Sequence, residues 1–200
     1  DVSIDGRVLD TQMASLKLLG GDPQYPIRNL TLQRVKIVAD EVALPVLSGI
    51  ADIDAQGGFS RVSLHSPDDK YSIDLQSKQG RWQLGLSLKE TSLPLLPGIV
   101  FSDLNAKGDL GDGEVNFTEM DGHLYNGILL GSAKLNWRKG WQLQGRLEAK
   151  TFELNKMFPS YGVEGELFGE GTFTLTGTKL SQLGDAPRLD ASFSVKKGVV

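Results

Sequence analysis

Apolar residues recur at every second position along this chain, in one short segment after another. Val2, Ile4, Gly6 and Val8 share one parity, and Leu30 with Leu32 begin another run. The parity then slips to Val35, Ile37 and Ala39, which predicts a β-bulge at Gln33 and Arg34. Ala51, Ile53 and Ala55 follow, then Val62 and Leu64, then Tyr71, Ile73 and Leu75. Strict alternation of this kind marks a strand with one face buried and one face wet. Trp82, Leu84, Leu86 and Leu88 form the cleanest stripe, and Leu104, Ala106, Leu110, Val115 and Phe117 continue it. His123 to Trp137 predicts one long strand or a bent pair, with Tyr125, Leu129, Ala133, Leu135 and Trp137 on one face. Leu143, Leu147 and Ala149 come next, then Val163, Leu167, Phe173 and Leu175, and finally Leu189, Ala191, Phe193 and Val195. Turns are expected at Ser66-Pro67-Asp68-Asp69 and over Gly108 to Gly113. Helix signals are confined to Thr11–Leu19 and Phe152–Phe158, and Pro94, Pro97 and Pro159 keep the connections short. The pattern predicts an all-β antiparallel meander with few short helices.

Two stretches about sixty residues apart say nearly the same thing. Each runs from an alternating segment into a turn with Lys and Gly (Lys78 to Gly80, Lys139 to Gly140). Each then continues as Trp-Gln-Leu at Trp82 to Leu84 or Trp141 to Leu143. A hairpin used twice predicts stacked supersecondary units, each burying its neighbour's apolar face. This divides the chain into leading strands over 1–41, a first repeat unit over 42–110 and a second over 111–200. The last residues, Val199 and Val200, continue an alternating segment, so the chain is expected to be a section of a longer protein.

Composition narrows the function classes. Hydrophobic residues make up 40% and charged residues 23%, so the chain should fold. Net charge is −4, and no stretch gathers Lys and Arg with aromatics, which argues against a nucleic-acid partner. Cysteine is absent, which removes disulfides and thiol chemistry. The longest apolar run, Leu93 to Phe101, is short and broken by Pro94, Pro97 and Gly98, so it does not read as a membrane span. Glycines on the apolar parity of one strand (Gly165, Gly169, Gly171) allow two readings. They either weaken that strand or let the sheet bend around a concave apolar face.

The run D-G-H-L-Y-N-G-I-L-L-G-S-A-K-L, Asp121 to Leu135, resembles the AsmA-like proteins of Gram-negative envelopes. Their hallmark is an alternating strand, a Tyr-Gly-Gly-type turn and then G-x-A-x-L. Trp141 to Phe158 and Gly165 to Phe173 keep that family's order of segments, and residues 42–110 resemble it more loosely. Asn126 departs from the usual Gly, which a turn position tolerates. The resemblance implies a periplasmic protein held in the inner membrane by an anchor outside this section. Its sheet would form an open, taco-like β-groove with an apolar interior, as in TamB-type and chorein-type lipid-transfer proteins. It further implies a non-enzymatic role in moving phospholipids between the two membranes, with an outer-membrane protein as a partner and no cofactor.

Such a groove would be lined by Ile73, Leu75, Trp82, Leu84, Leu86, Leu88, Val115, Phe117, Leu129, Leu135, Leu143, Leu147, Val163, Leu167, Phe173, Leu175 and Phe193. Two rivals share the same stripes: a closed β-sandwich acting as an interaction module, and an outer-membrane barrel whose stripes face lipid. Polar chemistry is sparse. Asp109, Asp112 and Glu114 have a faint calcium-loop look without a complete EF-hand spacing. Glu164, Glu166 and Glu170 lie along a single strand face rather than facing each other across a cleft, as a glycosidase would need. His65 and His123 sit on different strands with no second ligand nearby in sequence. No catalytic residue and no metal ligand is expected.

Overall fold

Alternation becomes strand wherever it is strict. The computed structural model describes residues 2–5 and 28–199, and the helix expected over Thr11–Leu19 lies outside them, as do Gly6 and Val8. The early strands are β1 (Val2–Asp5), β2 (Asn29–Ala39), β3 (Val42–Ala43), β4 (Leu47–Ile53), β5 (Phe59–His65) and β6 (Tyr71–Lys78). The later ones are β7 (Arg81–Ser92), β8 (Val100–Gly111), β9 (Glu114–Leu124), β10 (Gly127–Asn136), β11 (Trp141–Glu153), β12 (Glu164–Gly177) and β13 (Arg188–Val199). One helical turn, α1 (Leu154–Met157), falls inside the segment expected to be helical. All thirteen strands belong to a single sheet in the order β1-β2-β4-β5-β6-β7-β8-β9-β10-β11-β12-β13, with β3 paired to β2. Every pairing from β2 onward is antiparallel, and β1 runs parallel to β2. The protein is an all-β meander.

Register joins the separate stripes into one face. Leu64 pairs with Ile73, Ile73 with Leu86, and Leu86 with Ala106. Further on, Leu135 pairs with Leu143, Leu143 with Leu175, Gly145 with Phe173, and Phe173 with Leu189. Paired residues point to the same side of a sheet, so these rows form a continuous apolar surface from β2 to β13. The register crosses 110/111 without a break, at the β8–β9 turn.

A twelve-strand path cannot lie flat. Neighbouring strands rotate by about 20–25° with fixed hand, so β2 and β11, eight steps apart, differ by roughly 160–200°. The end of β2 therefore meets the opposite end of β11. Trp141 Nε1, at the start of β11, donates a 2.7 Å hydrogen bond to Asp40, just past the end of β2. The apolar face is folded inward against itself. Val35, Leu47, Leu64, Ile73, Leu88, Leu104, Leu124 and Phe152 share one buried cluster that draws on strands from β2 to β11.

Curling this tightly leaves no room for side chains where strands press together. A Cβ on Gly108 would lie 2.0 Å from the Asn116 carbonyl oxygen, and one on Gly49 would lie 1.9 Å from that of Ser63. Gly108 is therefore a mid-strand position of close approach, not part of a turn, and the turn is made by Asp112 and Gly113 alone. Of the two readings of His123 to Trp137, one long strand or a bent pair, the structure has the pair: the end of β9 and all of β10. Tyr125 and Asn126 separate them with φ of 51° and 59°, as a two-residue hairpin turn with both central residues left-handed requires. The bulge expected at Gln33 and Arg34 is present, with Arg34 at φ 54° and the register shifting between Leu32 and Val35. A second slip at Thr118 carries the inner face of β9 from Phe117 to Met120.

Gly108→Ala is expected to lower stability by about 1–3 kcal/mol through overpacking. Gly98→Ala, where a Cβ meets nothing within 4 Å, should be nearly neutral. Urea denaturation of the two variants checks this.

Candidate functional site: the apolar trough

The inner register determines what the face can touch. From β2 to β13 its positions are aliphatic, aromatic or glycine, with Ser77 and Thr91 as small polar exceptions. Among the described residues, no Asp, Glu, Lys or Arg occupies it. Charges stand on the outer face, where Arg61 meets Asp74 and Arg146 meets Glu170.

Burial divides the face into two parts. Ile73, Leu75, Trp82 and Leu88 are buried in the main cluster, and Leu84, Leu86, Val115, Leu129 and Leu167 pack partly buried against it. Leu47 is 0% exposed and Leu88 1%, so in this half the curl is filled by its own side chains. An open groove there would require the core to part. Leu135, Leu143 and Leu175 pack against a second cluster built on Trp141, Leu180 and Leu183. Phe117, Leu147, Val163 and Phe173 are half-buried, and Val163 sits one residue before β12 rather than within it. At the last hairpin the face opens. Leu189 is 68% exposed, Phe193 67% and Val195 50%. Leu189 and Val195 belong with the expected lining residues. Their alternation with Phe193 was the available signal.

The floor of the open part is unusually low. Gly145 and Gly169 pair directly with Phe173 and Phe193, and a Cβ at either glycine would strike the ring at 2.8 or 2.9 Å. Within the buried core a Cβ on Gly127 would likewise lie 2.6 Å from the Phe152 ring. In the open part Phe173 and Phe193 thus lie across the glycines of the preceding strand instead of standing up from the sheet. A surface laid out this way is wide, smooth and apolar.

The polar candidates resolve differently. Asp109, Asp112 and Glu114 converge on Arg81, whose guanidinium lies 2.6, 3.2 and 3.9 Å from them, with Lys134 also 3.0 Å from Glu114. Cations of the chain itself occupy the position a calcium ion would need. The two tryptophans of the repeated hairpin are interior packing residues: Trp82 is in the main core, and Trp141 stacks near Trp137 with centroids 5.7 Å apart. On the outer face His123 Nδ1 lies 2.9 Å from Asp103, its cross-strand partner, with Asp121 two residues away on the same side. The expectation that His123 has no possible ligand nearby in sequence passed over Asp121, two residues away. Asp103 is twenty residues distant and arrives by strand pairing.

Compared with known protein families, curated proteins and solved structures, the chain matches none. No helix among the described residues is long and apolar enough to cross a membrane.

The Asp103 carboxylate raises the pKa of His123 above 6.5, first by its hydrogen bond and then by its charge. A raised histidine contributes stability that is fully present below the unfolded pKa of about 6.5 and is lost as pH climbs through the folded value. NMR titration of His123 should give a midpoint above 6.5, and Asp103→Asn should bring it down toward that value. A midpoint unchanged by the substitution would show that the pair does not form in solution.

Proposed function

We propose that this chain is a non-enzymatic lipid-binding section of a periplasmic protein. In this reading the open part of its apolar face holds phospholipid acyl chains during transfer between the inner and outer membranes. The observation that carries the reading is the uncharged inner register running on to a last hairpin whose Leu189, Phe193 and Val195 are exposed. A single acyl chain needs a long apolar strip and no specific polar contact. Each buried methylene is worth about 0.8 kcal/mol, so a chain of about sixteen carbons lying fully on the strip gains of order 12 kcal/mol. Headgroups would stay in water, and discrimination among them should be weak.

The resemblance of Asp121 to Leu135 to AsmA-like proteins supports the same reading. It adds an anchor in the inner membrane outside this section, a Gram-negative periplasm and an outer-membrane protein as partner. A second reading, a closed interaction module in envelope assembly, is favoured by the filled early half around Leu47, Leu88 and Leu104. The two differ at the last hairpin: a module would cover it with protein, a groove with lipid. A membrane barrel fits less well, because the apolar face points inward and the charged face outward.

Vesicle-to-vesicle transfer of a fluorescent phospholipid tests the proposal. Phe193→Asp combined with Leu189→Asp removes several methylene contacts, which should lower transfer roughly tenfold or more. Ser194→Asp, on the outer face, should leave it unchanged. Protein that carries no lipid by mass spectrometry and transfers none would end the lipid reading in favour of the module.

A further inference from the structure

One corner of the curl is held by contacts unlike those in the rest of it. The turn after β2 places Asp40 at φ 52°, where its carboxylate accepts two hydrogen bonds from residues more than a hundred positions away. Trp141 Nε1–H donates at 2.7 Å and the Leu180 backbone N–H at 2.9 Å, both to the same oxygen. Beside them Lys179 Nζ meets Glu41 at 2.8 Å. Beneath this clasp lies a small cluster of its own. Its three buried side chains, Trp141, Leu180 and Leu183, compare with fifteen in the main core. Ala39 and Val42 from the β2–β3 turn and Leu95 from the β7–β8 connection close over it.

What lies underneath gives the clasp its significance. Leu135, Leu143 and Leu175 form the end of the inner row that continues through Phe173 to the exposed Leu189. The covered corner and the open hairpin are therefore parts of one floor. Among the described residues the tip of the cover is attached through the Asp40 carboxylate, one exposed ion pair and a small apolar contact, while Ile37 and Leu44 at its base pack against the main core. A unit with few buried contacts opens locally at lower cost than the core it rests on.

We propose that the β2–β3 turn is a strap that closes this end of the trough and opens as a unit, extending the apolar floor to Leu135, Leu143 and Leu175. This rests on the lipid reading for its purpose but not for its existence. In the strapped state a ligand reaches only the β12–β13 end. In the opened state it can lie along the whole late half of the sheet.

Native-state hydrogen exchange on the whole chain, without lipid, tests the opening. Amides of Val42 and Leu180 should exchange about tenfold or more faster than those of Leu64, Leu88 and Leu104 in low denaturant. Trp141→Phe removes one hydrogen bond to Asp40 and should quicken the first group alone. Equal rates in the two groups, changing together in the variant, would overturn the strap.

A second arm reads the consequence with phosphatidylcholine vesicles carrying a fluorescent phospholipid. Glu41→Cys with Lys179→Cys, joined by a short bismaleimide, should load severalfold less lipid than the same protein unjoined, and Asp40→Ala should load more. Equal loading of joined and unjoined protein would overturn the gating role. If no form loads lipid while the fast exchange persists, the strap stands and the lipid reading falls.

Discussion

Everything in this molecule follows from placing one uninterrupted apolar face on a sheet that must twist in one direction. Twelve hydrogen-bonded strands are more than an open sheet carries without curling or splitting. Their inner positions are uncharged and, apart from Ser77 and Thr91, apolar or glycine, so water must be kept off that side. With helix reduced to single turns among the described residues, only the sheet itself is available as a cover. Twist brings the end of β2 round to the far end of β11, and the early and late strands cover one another. The curl succeeds from β2 to β11 and then runs out of opposing surface. The exposed Leu189, Phe193 and Val195 result from that geometry.

Glycine is what makes so tight a curl possible. On a flat sheet a glycine at Gly108 or Gly49 would only weaken the strand. Here the neighbouring carbonyl stands where the Cβ would be, so any larger residue would push the strands apart. In the late strands the same residue has a second effect. By removing a side chain at Gly145 and Gly169, it lets the paired phenylalanine lie across the backbone. The ring still covers the strand beneath it, and the surface it presents is lower and smoother than an upright aromatic would give. One residue type therefore both closes the early half and flattens the late half.

The strands were legible in the sequence because alternation is local. Ser66 to Asp69 and the slip at Gln33 and Arg34 could be placed for the same reason, since a turn or bulge leaves its mark within a few residues. Failures came where a local cue pointed the wrong way. Gly108 sits close to Asp112-Gly113 and looked like part of their turn, while its actual constraint comes from Asn116 on the next strand. Tyr125 and Asn126 include no Pro or Gly, so alternation alone left one long strand and a bent pair both open over His123 to Trp137, and only the family-like Tyr-Asn-Gly run marked the turn. The division into a filled half and an open half depends on twist summed over eight strand steps, and no window of sequence contains it. The Asp103–His123 pair and the Asp40 clasp are likewise products of pairing and curl.

What separates a trough from an ordinary core is how the apolar surface ends. A core stops where its last strand turns a polar side outward on both faces, or where another element covers it. Here the last strand keeps the inner pattern through Leu189, Ala191, Phe193 and Val195. Large apolar side chains left in water on a long strand invite association and are a liability unless something occupies them. At the opposite corner of the same floor the protein supplies its own occupant, in Val42, Leu95 and the residues around Trp141. That cover is held by Asp40 and an exposed ion pair, whereas the early half is held by a continuous packed core. A floor covered firmly at its centre, lightly at one end and not at all at the other has the graded access that an acyl chain needs in order to enter and leave. A uniformly sealed sandwich would have no such gradient along its floor.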